Sequence, residues 1–133
     1  MFSFKDLCQM AKARVGDAKA LLDAGRYDGA VYIVGYAVEY KLKARIATTL
    51  LGCRAFPETI DEFNSLAKLK VHNLEDLAKA AGKHPMIIKS HKGKWDFFRN
   101  NWSPEARYRR IGSANRASAM AMIQVVEQLM SVI

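Results

Sequence analysis

The sequence predicts an all-α fold, an up-and-down antiparallel bundle of four to five helices. Three observations carry that expectation. Apolar residues recur at three- and four-residue spacing through most of the chain, the period of a helix with one face against a core. No stretch shows the alternating, β-branched pattern of a strand. The three prolines, Pro57, Pro85 and Pro104, all fall outside the strongest helical patterns.

The first helix is expected from about Phe4 to Ala24, with Leu7, Met10, Ala11, Val15, Ala18, Leu21 and Leu22 along one stripe. Gly25 follows as a left-handed stop. Asp28 suits the N-cap of a second helix reaching about Leu51, with Gly52 closing it. Val31, Val34, Gly35, Val38, Leu42 and Ile46 share one face of that helix, and Ile33, Ala37, Tyr40 and Ala44 lie roughly opposite. Apolar residues on two sides mark a helix that is central, or buried in an oligomer interface as well as in its own core. Over residues 53–71, Phe56, Ile60, Phe63 and Ala67 suit a short helix with Pro57 in its first turn.

In HNLEDLAKAAG, residues 72–82, Asn73 is a capping residue, Asp76 takes the third helical position and Gly82 ends the helix. KSHKGK, 89–94, reads as a basic loop leading into a helix from about Trp95 to Trp102. Ser103 and Pro104 interrupt it, and Pro104 can start a new helical turn. The last helix is expected from Ser113 to the end, on a stripe of Ala119, Met122, Val126, Leu129 and Ile133.

A chain of 133 residues, half of them hydrophobic, suits a single helical domain over 1–133 with a real core. Its two cysteines, Cys8 and Cys53, are too few for a disulfide framework and have no metal-like spacing, so both read as reduced thiols. There is no basic start followed by an apolar run, and the longest apolar stretch, Gly29 to Val38, is far short of a bilayer span. A cytoplasmic protein with no membrane contact is the expectation. Twenty-one Lys and Arg against thirteen Asp and Glu give a net charge of +8, which suits an anionic partner such as RNA, DNA or an acidic protein surface. His84 and His91 have no carboxylate or thiol in ligand spacing, and no metal or cofactor is expected.

Three stretches carry a resemblance: ARVGDAKALLDAGRYDGAVYIVGYAVEYKLKARI at 13–46, HNLEDL at 72–77, and NWSPEARY at 101–108. Together, and in this order, they resemble the HEPN family of small helical proteins. The first is similar to the family's opening helical hairpin, the second to the start of its third helix, and the third to a W-x-x-E-x-R-Y end seen in many stand-alone members. The resemblance implies an HEPN-like bundle, often a homodimer. Many members are metal-independent ribonucleases, commonly in toxin–antitoxin or defence systems, and others are non-catalytic partners of small nucleotidyltransferases. Catalytic members carry an arginine, usually a polar residue next, and a histidine after a gap of four to six. Two such motifs paired across a dimer would face one RNA strand. The cation holds the scissile phosphate and the imidazole moves protons near neutral pH.

Arg99-Asn100 matches the start of that motif, but the positions that need histidine hold Pro104, Glu105 and Ala106. The expectation is therefore a non-catalytic or weakly active binding and regulatory protein, a dimer acting with a nucleotidyltransferase-type partner or with RNA. The alternative is a metal-independent endoribonuclease with a divergent site of Arg99, Asn100 and Glu105. Candidate binding residues are Arg99, Trp102, Arg107, Tyr108, Arg109 and Arg110, since arginines among aromatics can hold phosphates and stack on unpaired bases, together with Glu39 and Lys43. Trp95, Phe98, Trp102 and Tyr108 also read as core or interface aromatics. Glu39, at the edge of an apolar face, pairs with Lys43 one turn on, or else with Arg99 or Arg107 at the site.

Overall fold

The computed structural model describes residues 2–49, 55–56 and 73–133. Its helices are α1 (Phe4–Asp23), α2 (Tyr27–Thr49), α3 (Leu74–Ala80), α4 (His84–Asn101) and α5 (Arg116–Val132), with a 3₁₀ turn over Pro104–Tyr108. The all-α bundle that the sequence predicts is what forms. One addition is a minimal antiparallel pair, β1 (Phe2–Ser3) with β2 (Ala55–Phe56), in register Phe2 to Phe56 and Ser3 to Ala55. Two residues per strand are too few to show alternation in a sequence. Phe56 thus lies in a strand, not in the short helix expected there. The rest of that expected helix, Gly52, Cys53 and His72 lie outside the described residues.

Local chemistry sets the helix ends. Ser3 and Asp6 form a capping box at the start of α1, each side chain bonding the other's backbone N–H. Gly25 turns the chain at φ +74°, where a side chain would be strained, and sends α2 back along α1. The second helix begins one residue before its expected cap. Ala30 N–H donates to Arg26 O, so Asp28 sits inside the first turn and its carboxylate is used elsewhere. Asn73 caps α3 by accepting from Glu75 N–H and Asp76 N–H.

Two boundaries differ from expectation. KSHKGK is helical, part of an α4 that starts at His84 and kinks at His91 (φ −133°). Pro85 in the first turn costs no helical hydrogen bond, and Ile87 is buried, so the segment has a core anchor that its polar letters hide. The last helix starts at Arg116 rather than Ser113, because Asn115 and Ser118 form a capping box.

Helix α2 is the central element. It packs on α1, α3 and α5, and Val34, Ala37, Val38, Leu42, Ala44 and Ile46 along it are all buried. Its two apolar sides are both used inside this chain. Leu7, Ala11, Val15 and Ala18 of α1 cover one flank, and Met122, Val126 and Leu129 of α5 cover another. Glu39 is the one buried charged residue among those described, at 9% exposure, and Lys43 lies 3.6 Å from it.

Candidate functional site

The segment from Trp95 to Asn115 is built around one aromatic. Trp102 ends α4 in an extended conformation and is 1% exposed. Its ring stacks on Phe98 (centroids 5.6 Å apart, 11° between planes) and meets Tyr36 edge-on at 5.1 Å. Its indole N–H donates to Tyr32 O at 2.9 Å. The space it fills on α2 is that left by Gly35, the residue with no side chain at the crossing. Trp102 is thus a core residue. As a candidate for binding a partner or stacking on a base it is corrected, since neither face reaches solvent. Tyr108 departs the other way, with three quarters of it exposed where a core aromatic was one expectation.

After Trp102 the chain is held back against α2. Arg109 Nη1 donates to Asn101 O at 2.9 Å, and the Ser113 hydroxyl donates to Arg110 O. Gly112, at φ +89°, makes the turn. Asp28, 84 residues earlier, then receives Gly112 N–H at 2.7 Å on one oxygen and Ala114 N–H at 2.8 Å on the other. Those two backbone donors hold its carboxyl below the usual range. The loop is therefore pinned at both ends, and Ile111 at its tip is fully exposed.

Beneath this loop lies a cavity of about 360 Å³. Val31 and Tyr32 of α2, Phe97 of α4 and Met122 of α5 give it an apolar floor. Asn101, Arg109, Ile111, Ser113 and Ser118 also line it. The sequence names Arg109 here but gives no sign of Asp28, Tyr32 or Ser113, which only the fold brings together.

A family model for the HEPN domain matches residues 4–133. The chain belongs to the HEPN domain family. Comparison with curated proteins and with solved structures returned no match. HEPN domains often dimerise, and membership suggests a nuclease or an RNA-binding regulatory role.

Within this HEPN domain, Arg99 is half-buried in the last turn of α4, Asn100 is exposed beside it, and Glu105 is exposed on the 3₁₀ turn. Among the described residues, Arg99 and Glu105 form no ion pair with each other. Arg110 is exposed on the loop, and the side chain of Arg107 lies outside what is described. Glu39 takes the bland option, its pair with Lys43 on α2, and neither residue lines the cavity. His84 lies 3.2 Å from Glu75, and His91 bonds the Ser90 hydroxyl at 2.7 Å. At about 1.5 Å per residue along α4, which kinks at His91, His84 is at most ~22 Å and His91 ~12 Å along the helix from Arg99. Lys92 pairs with Asp96 at 2.7 Å on the helix surface, and that hydrogen bond raises its pKa. Among the described residues no cluster of three His, Cys, Asp or Glu could hold a metal, and no helix is long and apolar enough to cross a membrane.

Proposed function

We propose that this HEPN domain is a non-catalytic or weakly active binding and regulatory protein, acting as a dimer with a nucleotidyltransferase-type partner or with RNA. One observation carries the reading. The proton-transfer position after Arg99 holds Pro104, Glu105 and Ala106, and the two described histidines lie far back along α4, each with another partner. Metal-free RNA cleavage near neutral pH needs a group that takes and returns a proton at the 2′-hydroxyl and the leaving oxygen. Arg99 can hold a phosphate but cannot do that work. What remains is a gripping surface: Arg109 and Arg110, flanked in the chain by exposed Tyr108 and Ile111, beside an apolar cavity.

The test is to incubate the purified chain with tRNA and with total RNA at neutral pH in chelator, beside Arg99→Ala. Both proteins are expected to leave the RNA intact. Cleavage by the parent chain that Arg99→Ala abolishes would overturn the proposal in favour of an endoribonuclease using Arg99, Asn100 and Glu105. Solution mass is expected to correspond to two chains, and co-expression with a nucleotidyltransferase is expected to give a stable complex. If RNA is the partner, affinity falls steeply with salt, because each neutralised phosphate releases a counterion.

A further inference from the structure

The cavity under the 109–114 loop differs from a site that reads nucleobases. A buried base must have its edge groups met by hydrogen bonds, or it loses those it made to water. Here the polar side chains lining the space are already engaged within the chain. The Ser113 and Ser118 hydroxyls donate to the carbonyls of Arg110 and Asn115. The Asn101 amide donates to Phe97 O, and Tyr32 shares a hydroxyl hydrogen bond with Tyr36. Both Asp28 oxygens accept backbone N–H groups. Arg109, with one of its nitrogens on Asn101 O, keeps spare donors, and the Asn101 amide keeps one N–H and its oxygen.

What is left is an apolar hole with a cation at its mouth. Its volume, about 360 Å³, is at the small end of ligand pockets and leaves room for one bulky side chain. Ile111, fully exposed, lines it on a loop pinned at both ends, and Tyr108, 75% exposed, ends the 3₁₀ turn just before that loop. An exposed aliphatic residue on a rigid loop neither stacks on a base nor binds a phosphate. It can exclude water around a buried anchor, as the ring of contacts at a protein interface does. The charges at the mouth are Arg109 and, next to it, Arg110, within a chain of net charge +8. The one acidic group there, Asp28, has both oxygens turned onto backbone N–H donors. The cation at the rim, in a chain of net charge +8, favours an acidic occupant.

We propose that this cavity and its rim are a docking site for an acidic protein segment that inserts one bulky apolar side chain, its carboxylates meeting Arg109 and Arg110. This rests on the reading of the chain as a binding module and selects its protein-partner form. The anchor fills the space over Val31, Phe97 and Met122, and Tyr108 and Ile111 cover its flanks.

The test is a titration of the full chain, followed by two-dimensional amide and methyl NMR. The probes are a twelve-residue peptide of Glu and Ser with one central Phe, the same peptide with Ala for Phe, the same with Lys for Glu, and a twelve-nucleotide oligouridylate. The Phe–Glu peptide is expected to bind in the millimolar range or tighter, shifting the Met122 methyl and the amides of Gly29, Ser113 and Ala114. The Ala and the Lys peptides are expected to bind at least tenfold more weakly. The double variant R110E/I111D changes only exposed positions, so it keeps the fold, and it is expected to weaken the Phe–Glu peptide at least tenfold. Equal binding of the Phe and Ala peptides, shifts confined to other surfaces, or no shifts at 2 mM peptide would each overturn the site. If oligouridylate shifts the cavity amides and the acidic peptide does not, RNA is the occupant and this inference fails while the non-catalytic reading stands. Cleavage of oligouridylate would remove that reading itself.

Discussion

Gly35→Ala is expected to destabilise the fold, although alanine is the better helix former. A methyl on Gly35 would come within 3.0 Å of three ring atoms of Trp102. The indole is rigid, so it has to move as a body, by on the order of 1 Å, to regain ordinary contact. That movement disturbs its stack on Phe98 and its 2.9 Å hydrogen bond to Tyr32 O. Overpacking a filled core costs about 1–3 kcal/mol. Weakening a buried hydrogen bond adds about 1–2 kcal/mol. Helix propensity returns about 1 kcal/mol. The net is a loss of about 1–4 kcal/mol. Urea unfolding followed by circular dichroism measures it, with Gly16→Ala as the control. Gly16 has nothing within 4 Å of an added methyl on exposed α1, so that change is expected to stabilise by ~0.5–1 kcal/mol. Combining Gly35→Ala with Trp102→Leu is expected to cost less than the two single changes added together, by over 1 kcal/mol. If Gly35→Ala is as stable as the parent chain, or more so, Trp102 does not pack as described here.

Two further predictions concern the ends of the loop. Asp28 is held below its ordinary pKa of 3.8 by the N–H groups of Gly112 and Ala114. A carboxyl depressed in the folded state stabilises above its unfolded pKa, and that contribution is lost as pH falls through the folded value. Asp28→Asn, whose amide turns a donor towards one of those N–H groups, is therefore expected to lower Tm at pH 7, with the difference closing below about pH 4. A Tm gap that stays constant from pH 7 to pH 3 would refute this. Asn115→Ala removes the α5 capping box and is expected to cost about 1 kcal/mol in urea unfolding, while Asn115→Ser, which can still cap, costs less.

What the sequence made legible here was local. Gly25, Asn73, Gly82 and the α1 stripe follow from turn and cap chemistry within a few residues, and the structure has them where they were expected. The start of α4 was hidden because Ile87 and Trp95, its buried anchors, are eight residues apart across a run of lysines. Asp28 read as a cap because its true partners, Gly112 and Ala114, are at the other end of the chain. Trp102 and Tyr108 look alike in composition. What separates them is a hole left by Gly35, 67 residues before Trp102, which no pattern of spacing shows. The arginines of the loop were named from sequence. The cavity that Arg109 lines was not, because four separate segments have to fold before it exists.

Glu105 separates gripping from cutting. A carboxylate on the 3₁₀ turn looks hostile to any anionic ligand held by Arg99, Arg109 or Arg110. Its effect can be sized. In water, two like unit charges about 7 Å apart repel by ~0.6 kcal/mol, and salt screens much of that beyond ~8–10 Å. This is a change of less than threefold in affinity. A missing general acid–base group is a loss of ~10²–10⁴ in rate. On the proposed reading, Pro104, Glu105 and Ala106 at the proton-transfer position cost far more in chemistry than the Glu105 charge costs in binding. Glu105→Ala is expected to raise the affinity for oligouridylate or for an acidic peptide by less than threefold at 100 mM salt, measured by fluorescence anisotropy, and to produce no RNA cleavage. A tenfold gain would mean that Glu105 sits on the anion path itself.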